Sequence, residues 1–147
     1  ALDKAPEDPK LNYDYALALF KRGKAEEGND ALDKVLACDP GDQSGLADDI
    51  DLARVEQMLA VSAFADAEAA TRAFMEKHGQ SDLMAKAYLF LGAAEVNQNK
   101  IDEGIAAWKT GIEKYPTAAE SKHAQALIPK AEKRKESLQK KQEPEGK

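Results

Sequence analysis

With a single cysteine, Cys38, the chain cannot close an intramolecular disulfide, and the simplest role for that residue is a small, partly buried side chain late in a helix. Histidine is almost as scarce. His78 and His123 stand alone, and neither an HExxH sequence nor a paired Cys/His spacing exists to hold zinc. Nothing approaches 18 consecutive apolar residues, so no membrane-spanning helix is expected. Neither a GxxxxGK[ST] loop nor a GxGxxG loop is present, which leaves nucleotide binding without a motif. The acidic clusters Asp39–Asp42 and Asp48–Asp51 lack the ligand order of a calcium loop, and turn and helix-start roles explain them. No carboxylate pair sits in an apolar setting that would separate two pKa values. Catalytic residues, cofactor and metal are therefore expected to be none. No signal peptide is visible, but the chain begins at Ala1 rather than Met, so location stays open between a bacterial cytoplasm and a periplasm or envelope.

What is present suits one soluble domain: 147 residues, 43% hydrophobic and 33% charged, enough to bury a core. The net charge of −6 is uneven: residues 1–129 hold 14 Lys/Arg against 23 Asp/Glu, and residues 130–147 hold 7 against 4. An acidic body argues against nucleic acid or an anionic membrane as partner. The basic tail is interleaved with glutamates and reads as a solvated helix end.

The informative stretch is 85–116. Tyr88, Leu91, Glu95 and Val96 recur at helical spacing, as do Ile101, Ile105, Trp108 and Ile112 after a turn at Asn97–Lys100. Gly92 and Gly104 fall where the two apolar stripes meet. A helical glycine costs about 1 kcal/mol against alanine, so two of them imply a close approach that covers Trp108. The layout recurs earlier as Asn12-x2-Tyr15-Ala16-x2-Leu19, Gly28-x3-Leu32 and Pro40, against Tyr88-x2-Leu91-Gly92-x2-Glu95, Gly104-x3-Trp108 and Pro116. Gly23 and Asn99 correspond as turn residues suited to a left-handed backbone.

This pattern resembles the tetratricopeptide (TPR) repeat, W-x2-L-G-x2-Y, A-x3-F and a closing Pro over 34 residues. Tyr88 stands for the Trp, Glu95 for the second aromatic and Gly104 for the Ala. The resemblance implies an all-α fold, an αα-hairpin superhelix of about three TPR-like repeats with a C-terminal capping helix. The 76-residue offset between the two clear hairpins leaves room for one more, enlarged by eight residues.

Along the chain, residues 1–8 read as a linker or the end of a preceding element, and the repeats as about 9–42, 44–82 and 83–116. Asp8 caps a first helix running to about Arg22, with Tyr15, Ala16 and Leu19 inward. Ala25 to Cys38 follows, burying Gly28, Leu32, Val35 and Leu36. The middle segment carries helices at Leu46–Ala60, capped by Ser44, and Phe64–His78. Leu46, Ile50, Ala53 and Met58 make the apolar face of the first. Thr117-x2-Glu120 is a capping box for the capping helix, 117–128, which Pro129 interrupts. Residues 130–147 make a basic helical extension and a disordered tail beginning at Gln142.

The resemblance also implies a function. Such arrays bind a peptide or helix of a partner protein in a concave groove lined by the first helix of each hairpin. The inward positions would be Tyr13, Leu17, Phe20 and Lys21 on the first helix, and Lys86, Leu89, Phe90, Ala93 and Asn97 on the third hairpin. Leu17, Leu89 and Phe90 suit packing between neighbouring helices equally well, whereas Tyr13 and Phe20 favour the groove. An apolar or amphipathic segment is the expected ligand, with lysine steering an acidic group. The carboxylate clamp of chaperone-binding members is missing, because Tyr13, Leu17 and Phe90 occupy clamp positions and only Lys86 matches. The alternative is an accessory, spacer or oligomerisation domain of a larger protein, of bacterial envelope or redox type. The run Lys114-Tyr-Pro-Thr-Ala-Ala-Glu-Ser121 resembles repeat junctions in envelope proteins.

Overall fold

A computed structural model describes residues 8–142, and those residues contain helices and no strand. Helix α1 (Pro9–Lys21) starts where Asp8 accepts a hydrogen bond from the Leu11 amide, with Pro9 at the first helical position. It turns back into α2 (Ala25–Cys38). The same form recurs in α3 (Ala47–Ala60) with α4 (Phe64–Lys77), and in α5 (Met84–Asn97) with α6 (Ile101–Lys114). A longer helix, α7 (Ala119–Gln142), packs on α5 and α6. The expected linker at 1–7 and the end of the tail at 143–147 lie outside the described residues.

The three hairpin turns are built alike. Gly23, Ser62 and Asn99 each adopt positive φ, at 76°, 62° and 66°. The next amide in each turn donates to a carbonyl five residues back: Lys24 to Leu19, Ala63 to Met58, Lys100 to Glu95. The second helices start at Ala25, Phe64 and Ile101, 39 and 37 residues apart. The middle hairpin is therefore not enlarged. The extra residues lie in the connections 39–46 and 78–83, and the former is folded on Asp39, whose carboxylate accepts from the Gln43 and Ser44 amides at 2.9 Å and from the Ser44 hydroxyl. Those bonds hold Asp39 below the usual carboxylate range. Ser44 thus serves Asp39 instead of capping α3, and Asp42 takes the capping role by accepting from the Ala47 amide.

Helix α5 is the centre of the packing. It touches α3, α4, α6 and α7, and nine of its 14 residues are buried. The expected single stripe is wrong for this helix, since one stripe cannot serve neighbours on every side. Gly92 and Gly104 do allow the close approach. A Cβ on Gly92 would fall inside the Trp108 indole, and one on Gly104 would come 2.7 Å from the Gly92 carbonyl oxygen. Trp108 is 3% exposed and donates its indole N–H to the Leu89 carbonyl at 3.0 Å.

Several inward assignments are corrected. Tyr15 and Leu36 are each 43% exposed, because no element covers that side of the first hairpin among the described residues. Helix α3 buries two faces: Ile50 and Ala53 join the core of the first hairpin, and Leu52 and Val55 join the core shared with α4 and α5. Met58 packs on the second core and not on the face of Ile50. Helix α7 begins at Ala119, one residue later than a Thr117 cap would set it, and runs unbroken through Pro129. Buried Ala124 and Ala131 lie on either side of that proline, and Lys135 to Asp102 and Arg134 to Asn99 tie down the distal half.

Gly92→Ala is expected to lower unfolding free energy by about 2 kcal/mol, overpacking against Trp108 exceeding the gain in helix propensity. Gly41→Ala, where a Cβ meets open space, is expected to stay within about 0.5 kcal/mol. Urea unfolding of both variants checks the pair.

Candidate functional site

Helices α1, α3 and α5 lie in sequence, α1 against α3 and α3 against α5. Between the first two runs a cleft of about 230 Å³, lined by Leu17, Phe20 and Lys21 from α1 and by Ala53, Glu56 and Gln57 from α3. Three of the expected groove residues thus share one depression. Phe20 is a core residue more than a groove residue: it is 9% exposed and packs on Gly28, whose missing Cβ makes room for the ring. Only part of it reaches the cleft.

Tyr13 is half-buried against the first core. Its hydroxyl is pushed up to about 12, by burial first and then by the charges of Asp49, Glu56, Asp14 and Asp48. Lys86 stands 5.7 Å over the Phe90 ring, and its charge, with that of Lys10, acts on Asp49. Asp49 is nevertheless raised, burial and Asp48 outweighing the lysines. The other expected residues serve packing or their own helix. Phe90 belongs to the core with Leu52 and Val55, and Leu89 and Ala93 pack on the core that α6 and α7 share. Asn97 is exposed and donates to the Ala93 carbonyl at 2.8 Å. The Leu89 and Phe90 positions follow from α5 being enclosed on both sides.

Asp49, Glu56 and Gln57 were not anticipated. Aligning Ser62 with Gly23 and Asn99 puts Glu56 in register with Leu17 and Ala93, but a serine in the turn gives no composition cue. Asp49 and Glu56 have no ion partner among the described residues. The face therefore mixes lysine with free carboxylate around an apolar floor.

A second polar site lies where α4 meets α5, and it contradicts the expectation that no carboxylates have separated pKa values. Glu68 accepts from Lys100 at 2.9 Å, Gln98 at 2.8 Å and Arg72 Nε at 3.2 Å, and these bonds, Lys100 first, hold it below the usual range. Glu95, 2% exposed, accepts from Arg72 Nη2 at 3.3 Å and is raised, chiefly by burial, with Glu68 and Glu103 adding to the effect and Arg72 opposing it. Beside it opens a cleft of about 520 Å³, lined by Arg72, Met75, Tyr88, Leu91, Glu95, Glu103, Ala106, Ala107 and Thr110.

His78 pairs with Asp51 at 2.9 Å and lies tilted against the Phe74 ring, so it is not solitary, and Cys38 is half-buried at the end of α2. Among the described residues no group of three or more His, Cys, Asp or Glu could hold a metal ion, and no helix is long and apolar enough to cross a membrane. No protein-family model, curated protein or solved structure matches the chain.

The two glutamates give opposite pH dependences. Glu68, depressed, contributes stability above the ordinary glutamate value of 4.5 that is lost as pH falls through its folded pKa. Glu95, raised, binds its proton more tightly when folded, so it weighs against stability at pH 7 and recovers as pH falls through its folded pKa. At pH 7, Glu68→Gln is expected to cost about 1–2 kcal/mol. Glu95→Gln is expected to be at least as stable as wild type, with its advantage shrinking at pH 5. Urea titrations at both pH values decide it.

Proposed function

We propose that the chain is a TPR-like repeat module whose hairpins stack as a short superhelix closed by α7, and that it binds a peptide or helix of a partner protein along α1, α3 and α5 without catalysis. The observation that carries this reading is the α1–α3 cleft, where Leu17, Phe20 and Ala53 form an apolar floor between Lys21 and Glu56. Support for the repeat comes from the three turns with one backbone geometry and from glycine at 28, 92 and 104, where helices approach closely. The floor suits one apolar side chain of an amphipathic segment, and the charges on both sides suit a partner carrying both signs. Lysine alone does not set the preference, because Glu56 and Asp49 stand on the same face.

An accessory or oligomerisation role is the second reading, and the exposed side of the first hairpin favours it. Tyr15 is 43% exposed, while its counterpart Leu91 is 5% exposed beneath α4. Leu36 is likewise exposed where Met75 and Ile112 are partly buried. A further hairpin or a second copy stacked on α1 and α2 would cover both.

Peptides selected from a random display library on the wild-type chain are expected to lose about tenfold in affinity for a Leu17→Glu/Gln57→Lys variant whose circular dichroism is unchanged. Tyr15→Ser should retain them. Binders that ignore the first variant, or a library yielding none, would overturn the cleft assignment, and dependence on Tyr15 would move the interaction to the open end.

A further inference from the structure

We propose that the cleft over Glu95 binds an organic cation, an ammonium or guanidinium carried on a short aliphatic stem. The cleft shares no residue with that between α1 and α3. Its size falls in the range of small-molecule sites, about 300–1,000 Å³. Met75, Leu91, Ala106 and Ala107 give it an apolar lining along which an alkyl chain can lie.

The charge pattern selects the head group. Glu95 is 2% exposed, and its Oε2 is taken by Arg72. Its Oε1 has no hydrogen bond among the described residues, although Glu95 lines the cleft. Of its two oxygens this is the one open to the cleft, since it is not among the fully buried unpaired atoms, and a charged donor in the cleft can bond to it. Glu103, on the same wall, has no ion partner among the described residues, and its charge acts on Glu95. Around this point stand three carboxylates, Glu68, Glu95 and Glu103, against two cations. Lys100 is engaged with Glu68, and Arg72 is divided between Glu68 and Glu95. Lys114 stands 5.7 Å over the Tyr88 ring instead of on Glu95 or Glu103. The cluster is one positive charge short, at the place where the cleft is open.

Other ligand classes fit less well. An anion would meet Glu95 and Glu103, and the one guanidinium in the lining, Arg72, is already bonded to two carboxylates. An uncharged apolar molecule would fill the lining but leave Glu95 Oε1 unpaired in drier surroundings, which raises the cost of that group. A guanidinium or ammonium satisfies Oε1 and Glu103 together, and charge-assisted bonds of this kind are the stronger ones.

The test is a titration at low ionic strength followed by amide ¹H–¹⁵N shifts. The probes are n-butylguanidinium, n-pentylammonium, N-acetyl-arginine methylamide and, as uncharged control, 1-pentanol. Saturable shifts centred on Leu91, Glu95 and Ala106 are expected with the cations and not with the alcohol. Glu103→Gln should weaken binding about fivefold, the scale of one exposed charge contact. Ala106→Phe, at an exposed lining position, should abolish it, and both variants should keep the wild-type circular dichroism. Tighter binding of the acetylated arginine would identify a peptide side chain as the source, and tighter binding of the simple cations a free amine or guanidine. Absence of saturable shifts with every cation, equal binding of 1-pentanol, or unchanged binding to Ala106→Phe would overturn the proposal.

Discussion

The contact of Trp108 with Gly92 sets the geometry on which the C-terminal half depends. The indole lies where a side chain of residue 92 would be, and its N–H ends on the Leu89 carbonyl. Gly104 meets the Gly92 carbonyl and Val96 in the same way, so α5 and α6 touch by backbone as well as by side chain. Neither helix can slide against the other without displacing a buried ring or opening a void. Because α5 also bears on α3, α4 and α7, the position fixed by this contact passes to the rest of the core.

The hairpin turns carry out a second constraint more cheaply. A left-handed residue and one long backbone bond reverse the chain at Gly23, Ser62 and Asn99. With the second helices equal in length and the turns alike, differences in spacing fall to the connections, where chain length is tolerated at small entropic cost. The connection at 39–46 is consequently held by side-chain bonds to Asp39 and Asp42, with Leu46 packed on the first core at its end. Keeping the hairpins equal is what leaves α1, α3 and α5 neighbours, and hence what makes a cleft between α1 and α3.

Local signals in the sequence were sufficient for the six hairpin helices, but not for α7, which runs through Pro129 instead of stopping there. Asp8-Pro9, Gly23, Pro40, Asn99 and Pro116 punctuate the chain, and α2 and the first hairpin follow from them almost to the residue. Signals failed where the outcome depends on neighbours. Tyr15 and Leu36 have inward spacing, but inward has meaning only if something stacks there. Leu89, Phe90 and Ala93 were placed on a groove face that α5 does not have, since it is enclosed. Ser62 hid the register of the middle hairpin, and with it the approach of Glu56 to Leu17. At the site, Leu17 and Lys21 were legible from spacing on one helix, whereas their partners on α3 required knowing how two hairpins meet.

Glu95 shows the same limit from the side of chemistry. Its spacing places it with Tyr88 and Leu91 on a buried face, where an ionisable group is expensive unless matched. The match comes from α4, through Arg72, and Arg72 is oriented in turn by Glu68, which Lys100 and Gln98 hold from the following turn. Four residues from two hairpins are thus needed to accommodate one. An apolar residue at 95 would avoid this cost, since a buried ion pair seldom adds net stability over well-packed hydrocarbon. What the charges contribute instead is direction: a guanidinium fork bonded to Glu68 and Glu95 fixes how α4 lies on α5, which interchangeable apolar contacts in the core they share would specify less sharply. The joint between the second and third hairpins is in this way set by charge, and the joint between the fifth and sixth helices by shape.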